Sequence, residues 1–194
     1  MLKPRWRRSC RLLGILSFVV SMAVSAVPAT AGSGPASTPR LTKKGDIGPD
    51  GLPIPPGGVR VGNEVFYNNG RVNLRFDLAR VAKLQGKAAP ASTAADFICN
   101  SGWYCLFEHS NFGGRRLSFQ DCCYFQYLSD YGFTNKVSSW RSNLNINDVR
   151  VWDMAPSPDK VLWCSDTQSQ STNVGTAAND KADKLYIQSS DSYC

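Results

Sequence analysis

The stretch from Trp103 to Trp140 constrains the fold of this chain more than any other segment. Its fixed points are an aromatic-Glu-x-x-x-Phe-x-Gly pattern and a later serine pair, at Phe107, Glu108, Phe112, Gly114, Ser138 and Ser139. Glycine admits backbone conformations that are closed to residues with a side chain, and paired aromatic rings can pack a tight hairpin. Taken as residue types alone, these positions are typical of the core and turns of a β-structure.

Short aromatic and β-branched runs recur between turn residues from residue 98 to residue 190. The runs are Trp103–Phe107, Arg115–Phe119, Val137–Trp140, Val149–Trp152, Val161–Cys164 and Leu185–Ile187. This spacing predicts an all-β sandwich, and no long segment has a helical period. Four tryptophans are predicted to fill the sandwich rather than to line a sugar groove: Trp103, Trp140, Trp152 and Trp163.

A weaker second copy of the first motif follows it. Phe107 and Trp152 lie 45 residues apart, and the segments Thr134–Ser139 and Asn179–Lys184 have the same offset. A shared offset indicates an internal duplication. The copy is degraded, because no Phe-x-Gly pattern follows Trp152. The domain is long enough for two Greek-key motifs of four strands each.

The motif pattern resembles that of the βγ-crystallin superfamily, and in bacteria that of the secreted proteins of peptidase inhibitor family I36. The resemblance is strongest in the first motif and in its Cys-x-x-x-x-x-Cys opening, Cys99 to Cys105. It implies a βγ-crystallin-like sandwich of two Greek-key motifs. In such motifs Gly114 allows the first hairpin to fold back over the sheet, and a serine such as Ser139 hydrogen-bonds to that hairpin.

The resemblance also implies a calcium site, because family members use (Asn/Asp)-(Asn/Asp)-x-x-(Ser/Thr)-Ser loops to bind Ca²⁺. Calcium takes six to eight hard oxygen ligands. The residues that would contribute here are Glu108, Asn135, Lys136, Ser138, Asn179, Asp180 and Asp183. Thr134 departs from the pattern in the first loop, and Asp183 with Lys184 replaces the serines of the second. We therefore expect weak calcium binding at most, and no other cofactor.

The first 31 residues are predicted to be a secretory signal peptide. Five basic residues precede the apolar run Leu12–Val27, and Ala29-Thr30-Ala31 has the small-x-small form of a cleavage site. The apolar run is too short and too interrupted to favour a membrane-spanning helix. We expect a secreted, extracellular protein.

Residues 32–97 are predicted to be a flexible leader, followed by the β-domain at 98–194. Gly, Pro, Ser and Thr dominate residues 32–58 without a hydrophobic period. Near 64–76 the pattern changes, because the turn sequence Asn68-Asn69-Gly70 joins two alternating runs. This predicts a β-hairpin with an apolar face and a basic face carrying Arg71 and Arg75. A lone hairpin is marginal in water, so it is expected to dock on the domain or on a partner.

The net charge excludes one class of partner. The whole chain carries 22 basic and 15 acidic side chains, a net charge of +7. All five charged residues of the predicted signal peptide are basic, so without it the net charge is 17 minus 15, or +2. This balance does not support nucleic-acid binding.

Six of the seven cysteines follow the predicted signal peptide: Cys99, Cys105, Cys122, Cys123, Cys164 and Cys194. An even number in an exported chain predicts disulfides, whereas a metal site would need Cys-x-x-Cys pairs or histidines. Cys99 and Cys105 are expected to pair. Adjacent cysteines seldom bond to each other, so Cys122 and Cys123 are expected to reach Cys164 and Cys194, in an order that the sequence leaves open.

The sequence offers no catalytic residues. His109 is the single histidine, and it lies in the predicted turn of the first hairpin. No nucleophile motif, phosphate loop or paired carboxylates accompany it. The chain is therefore predicted not to be an enzyme.

Two functions remain, and both fit a monomer. The resemblance to family I36 implies an inhibitor that inserts a loop into the cleft of an extracellular protease, with metalloproteases as the class that the resemblance suggests. The sequence does not identify that inhibitory loop. The alternative is a secreted βγ-crystallin-like binding module for calcium or the cell wall, or one with a toxin-like antimicrobial role.

Overall fold

Twelve strands and one α-helix make up the fold in the computed structural model, which describes residues 38–88, 99–190 and 194. The predicted signal peptide lies outside the described residues. Residues 38–88, here called the extension, contain β1 (Arg40–Leu41), β2 (Val59–Val61), β3 (Glu64–Tyr67), β4 (Val72–Arg75) and α1 (Leu78–Leu84). The first key contains β5 (Tyr104–His109), β6 (Gly113–Phe119), β7 (Phe125–Tyr127) and β8 (Ser139–Ser142). The second key contains β9 (Val149–Asp153), β10 (Lys160–Ser165), β11 (Gln170–Ser171) and β12 (Lys184–Ile187).

The strand order confirms the predicted all-β sandwich of two Greek keys. One sheet has the order β1-β2-β3-β4-β6-β5-β8-β11, and the other has the order β10-β9-β12-β7. The third strand of each key, β7 or β11, pairs in the sheet of the other key. This exchange gives both sheets the same four-strand arrangement, and it ties the two keys into one sandwich.

The core lies between the sheets because apolar residues alternate along each strand. Leu106 and Leu117 face inward from the first sheet, and Val151 and Leu185 face inward from the second, all with 0% exposure. Each such side chain contributes about 1.5–3 kcal/mol through burial.

The structure repeats its backbone contacts at the offset seen in the sequence. The amide of Asn135 donates to the carbonyl of Ala182, and the amide of Asp180 donates to the carbonyl of Val137. The offset of 45 residues relates Asn135 to Asp180 and Val137 to Ala182, so each bond is the counterpart of the other and the two keys meet around an approximate twofold axis. The predicted internal duplication is therefore visible in the hydrogen bonds.

The extension is ordered and continues the first sheet. The predicted hairpin is present as β3 and β4 around Asn68-Asn69-Gly70, and β4 pairs antiparallel with β6. Residues 38–58 are part of the predicted flexible leader, but they instead contain β1 and a series of turns, and β1 pairs with β2, which begins at Val59. All described residues belong to one compact unit. The expected boundary before residue 98 lies outside the described residues.

A buried ion pair fastens the extension to the first key. The guanidinium of Arg115 in β6 donates to both carboxylate oxygens of Asp50 at 2.6 Å, and it also donates to the carbonyls of Leu52 and Pro53. The side chains of Asp50 and Arg115 are 0% and 3% exposed. Burial raises the pKa of Asp50, but the hydrogen bonds and charge of Arg115 outweigh it, so the pKa lies below 3.8.

The Cys99–Cys105 disulfide is confirmed, and it closes a short loop before β5. This disulfide is buried, and it packs with Phe107 and the half-buried Trp103 in a small cluster of its own.

The expectation that Cys122 and Cys123 bond to Cys164 and Cys194 is wrong. Cys122 bonds to Cys123, and Cys164 bonds to Cys194. The adjacent pair lies in the crossover from β6 to β7, where Cys123 takes a left-handed φ of 75°. Cys164 lies in β10, where the C-terminal residue reaches it instead.

The prediction that all four tryptophans fill the sandwich is wrong for Trp103, which packs in the small cluster of the first disulfide, and for Trp152. The neighbours of Trp152 in β9, Val151 and Asp153, are buried, and Trp152 itself is only half-buried. Its ring lies 5.5 Å from that of Phe125, which is 43% exposed. Trp152 therefore belongs to the outer face of the second sheet, because the strand alternation turns it away from the core.

We predict that Asp50→Asn destabilises the fold by about 3–5 kcal/mol, because it leaves the buried guanidinium of Arg115 without its counter-charge. The matched control is Asp46→Asn, which affects the exposed pair with Arg40 and should cost no more than about 1 kcal/mol. Urea unfolding measures both. The lowered pKa of Asp50 gives stability that is present above about pH 4 and is lost as the pH falls further, and the variant should lack this acid-sensitive part. Equal losses in the two variants would contradict the prediction.

Candidate functional site

The hairpin between β5 and β6 is folded back as the sequence motif predicts. Gly114 has a φ of 77°, and a Cβ there would lie 2.8 Å from the Cβ of Glu108. The rings of Phe107 and Phe112 meet edge to face with their centroids 5.3 Å apart. A side chain at position 114 would therefore be strained by its backbone and would also collide with the neighbouring strand.

Ser139 holds the folded hairpin in place. Its hydroxyl accepts a hydrogen bond from the amide of Phe112 at 3.1 Å and donates one to the carbonyl of His109 at 2.7 Å. Ser139 is 0% exposed, so its hydroxyl is fixed between the two backbone groups and shielded from water. The hairpin is thus a rigid element.

Five of the seven predicted calcium residues line one depression beside this hairpin: Glu108, Asn135, Lys136, Ser138 and Asp180. The twofold contacts bring them together, because Asn135 and Asp180 occupy matching turns with φ values of 55° and 54°. Asn179 lies next to them and donates its side-chain amide to the Asp180 carboxylate at 2.7 Å.

The extension supplies the opposite wall of the depression, and no motif in the sequence predicts this. Leu52, Asp77 and Arg80 line it together with His109. Asp77 caps α1 by accepting from the amides of Ala79 and Arg80. No pattern within residues 32–97 signals this role, because it arises from the pairing of β4 with β6.

The cations around the depression are tied to backbone carbonyls. Lys136 donates its ammonium to the carbonyl of Gly132 at 2.7 Å, and Arg80 donates from Nε to the carbonyl of Asp50 at 2.6 Å. The Glu108 carboxylate accepts from the amide of Arg115 at 3.2 Å. The depression therefore presents carboxylate, amide and hydroxyl oxygens on its wall, which are the ligand types that calcium prefers.

Asp183 lies apart from this depression. Its carboxylate accepts a hydrogen bond from the amide of Met154 at 2.8 Å, and it shares a second depression with Thr134 and Ala155. Lys184, which stands where the first key has Ser139, places its ammonium 4.6 Å from the centroid of the Phe125 ring. A lysine cannot hold a folded hairpin as Ser139 does, so the second key has a different connection between its first two strands.

The first of the two symmetry-related positions offers more oxygen ligands than the second. Three carboxylates line the first depression, those of Asp77, Glu108 and Asp180, whereas Asp183 alone supplies one to the second. Among the described residues, one group of three potential metal-ligating side chains lies within 4.8 Å, and it is Asp148, Asp166 and Cys194. The carboxylates of the first depression do not converge in that way, so any calcium there would have to draw them together.

The connection from β9 to β10 is the most exposed loop of the described chain. Residues 154–161 form its longest run of consecutive exposed residues, and residues 154–159 are here called the β9–β10 loop. Met154 at its start is 42% exposed. In the described part of the chain, no helix is long and apolar enough to cross a membrane.

Comparison with known proteins agrees with the sequence resemblance. Residues 92–157 match the model of peptidase inhibitor family I36, about a third of the chain. No curated protein matches the chain. One similar solved structure, from work on the evolution of the eye lens beta-gamma-crystallin domain fold, has 19% identity and a TM-score of 0.38 and covers 46% of this chain and 91% of its own. A betagamma-crystallin domain from Clostridium beijerinckii has 23% identity and a TM-score of 0.36 and covers 43% of this chain and 94% of its own.

The family match confirms the resemblance to I36 inhibitors for the first key and the start of the second. It indicates a peptidase-inhibitor-like protein and not an enzyme. The match ends within the β9–β10 loop.

We predict that Ser139→Ala destabilises the protein by about 1–3 kcal/mol, because two part-buried backbone groups lose their hydrogen-bond partner. Ser142→Ala is the matched control, since Ser142 lies on the same strand, is 1% exposed, and has a hydroxyl with no partner among the described residues. That change should be close to neutral. Thermal or urea unfolding compares the two, and a similar loss in both would show that the hydroxyl of Ser139 does not hold the hairpin.

Proposed function

We propose that this protein is a secreted protease inhibitor and that the β9–β10 loop is the segment it inserts into the protease cleft. The proposal rests on one observation: all residues of this loop are exposed, and both ends of the loop are held in place. A segment that has lost its flexibility before binding pays less conformational entropy in the complex. The family match supports the class of activity.

The two ends of the loop are held by pairing of the flanking strands. Asp153 at the end of β9 pairs with Lys160 at the start of β10. Between them, Asp159 forms an ion pair with Lys184 of β12. The loop is therefore anchored to β9, β10 and β12 of the second key, while its own side chains face solvent.

Carboxylates hold the backbone on both sides of the exposed Met154 side chain. The amide of Met154 donates to the Asp183 carboxylate at 2.8 Å, and the amide of Ala155 donates to the Asp153 carboxylate at 2.8 Å. If a protease cuts the bond between Met154 and Ala155, the new amine stays tethered to Asp153. A tethered product favours resynthesis of the bond and slows release, which is how a substrate-like loop acts as an inhibitor.

The side chain of Met154 suits an apolar subsite. It is unbranched and polarisable, so it adapts to irregular apolar pockets. A thermolysin-like metalloprotease is the first target to test, because such enzymes are the kind that the family resemblance implies. Serine and cysteine proteases complete the panel.

We predict that Met154→Glu weakens inhibition of the target protease at least about 100-fold, because burying an unpaired carboxylate in an apolar subsite costs several kcal/mol. Leu84→Glu is the matched control, since Leu84 is 60% exposed at the end of α1. Inhibition constants for the two variants, with mass spectrometry of any cut in the inhibitor, measure the effect.

Two results would overturn the assignment. If the folded, disulfide-bonded protein inhibits no protease of the panel at micromolar concentration, it is not an inhibitor of those classes. If it inhibits but Met154→Glu and Leu84→Glu act alike, another loop enters the cleft.

Weak calcium binding at the first depression is a second candidate function. It is favoured because Glu108, Ser138 and Asp180 from the two keys line one depression with Asp77 of the extension. These residues would hold the ion, and the bound ion would link the extension to both keys. It would act as a structural ion, since nothing on this wall is arranged for catalysis.

We predict that millimolar calcium raises the melting temperature of the wild-type protein and of Asp183→Asn, and that Asp180→Asn abolishes the rise. Of these two residues, Asp180 lines the first depression and Asp183 lines the second. The two substitutions therefore distinguish calcium binding at the first depression from binding at the second. A ligand at 100 times its dissociation constant adds about 2.7 kcal/mol. Differential scanning fluorimetry with calcium or a chelator measures the shift, and an unchanged wild-type melting temperature would reject the site.

A further inference from the structure

We propose that the Cys122–Cys123 disulfide is a thiol–disulfide exchange site for low-molecular-weight thiols, which the folded protein opens and closes reversibly. The other two disulfides would remain closed under the same conditions. The proposal rests on differences in exposure, local charge and backbone constraint among the three disulfides.

Exposure separates the adjacent pair from the first disulfide. Cys123 is exposed and Cys122 is half-buried against the core. Cys99 and Cys105 are 3% and 1% exposed. Exchange requires a thiolate to reach a sulfur atom in line with the disulfide bond, so the Cys99–Cys105 disulfide is shielded.

Local charge separates the adjacent pair from the third disulfide. Carboxylate oxygens of Asp148 and Asp166 lie within 4.8 Å of the Cys194 sulfur, and the Asp148 carboxylate also accepts from the Cys194 amide. An attacking thiolate is an anion, so the exposed Asp166 carboxylate repels it. The Cys164–Cys194 disulfide also spans a sequence separation of 30, against 1 for the adjacent pair, so it contributes more to stability and resists opening although Cys194 is exposed.

The carboxylate next to the adjacent pair is compensated. Asp121 lies 3.2 Å from the guanidinium of Arg71 and accepts a hydrogen bond from the Tyr124 hydroxyl at 2.9 Å. An anionic thiol approaching Cys123 thus meets an ion pair and not an isolated negative charge. The basic residue at this position comes from the extension hairpin.

The backbone explains why the fold would survive opening. The ring encloses two neighbouring residues, so its contribution to loop-closure entropy is small compared with that of a long loop. Cys123 has a φ of 75°, a region that non-glycine residues seldom adopt. The amide of Cys123 also donates to the carbonyl of Ile187, which keeps the crossover attached to β12 without the disulfide.

The exchange proceeds through two displacements. A thiolate attacks the exposed Cys123 sulfur, the bond between the two cysteine sulfurs breaks, and Cys122 leaves as a thiolate that takes up a proton. A second thiolate attacks the external sulfur of the mixed disulfide, which releases an oxidised external disulfide and the Cys123 thiolate. The protein gains two electrons and the external thiols lose them, and the reverse sequence closes the ring.

The test uses the full oxidised protein under native conditions, with increasing reduced glutathione, iodoacetamide labelling and peptide mapping. We expect both Cys122 and Cys123 to be labelled before the other four cysteines, with the circular dichroism spectrum kept. The melting temperature should change by no more than about 5 °C. Oxidised glutathione, added before iodoacetamide, should restore the unlabelled form.

A double variant, Cys122→Ser with Cys123→Ser, separates exchange from folding. We expect it to fold with a nearly unchanged melting temperature and to take no label over the same glutathione range. The proposal would be overturned if Cys164 and Cys194 were labelled before Cys122 and Cys123. It would also be overturned if all six cysteines were labelled at once while the protein unfolded. Two thiols at positions 122 and 123 that oxidised glutathione does not convert to a disulfide would overturn it as well.

Discussion

The buried pair of Asp50 and Arg115 is the interaction on which the rest of this arrangement depends. Removing two charges from water is costly, and only the bidentate geometry and the added carbonyl acceptors compensate for it. Arg115 directly follows Gly114, so the ion pair joins the folded hairpin of the first key to the extension. Leu52, Asp77 and Arg80 can form one wall of the depression because the extension is held at this point.

The two keys share their backbone contacts but differ in the connection between their first two strands. The twofold backbone contacts are kept, but the position of Ser139 is taken by Lys184, and the tightly folded hairpin of the first key becomes an exposed loop in the second. The first key is therefore specialised for rigidity. The second presents the β9–β10 loop, whose backbone is fixed by carboxylates of β9 and of the segment before β12. Under the proposed function, duplication followed by divergence separates a scaffold from a contact segment within one sandwich.

The sequence predicted the fold well where local chemistry determines it. Gly114, Ser139 and the Asn68-Asn69-Gly70 turn each have a short-range reason for their conformation. It could not predict Asp50 with Arg115, since 65 residues separate them and nothing near Asp50 suggests burial. The outer position of Trp152 depends on strand register, and the Cys122–Cys123 disulfide depends on the local conformation of a crossover. The sequence predicted the wall of the depression that comes from the two keys, because those residues carry a recognisable pattern. It did not predict the wall that comes from the extension.

The pairing of β4 with β6 also determines where the first sheet ends. An unpaired edge strand offers its amides and carbonyls to any other chain, and long edges promote aggregation. Here the extension covers the edge that the first key alone would leave open. The sheet instead ends at β1 on one side and β11 on the other, each two residues long. Such short edges give a second molecule little to add to, so the extension also serves as protection against association in a crowded environment.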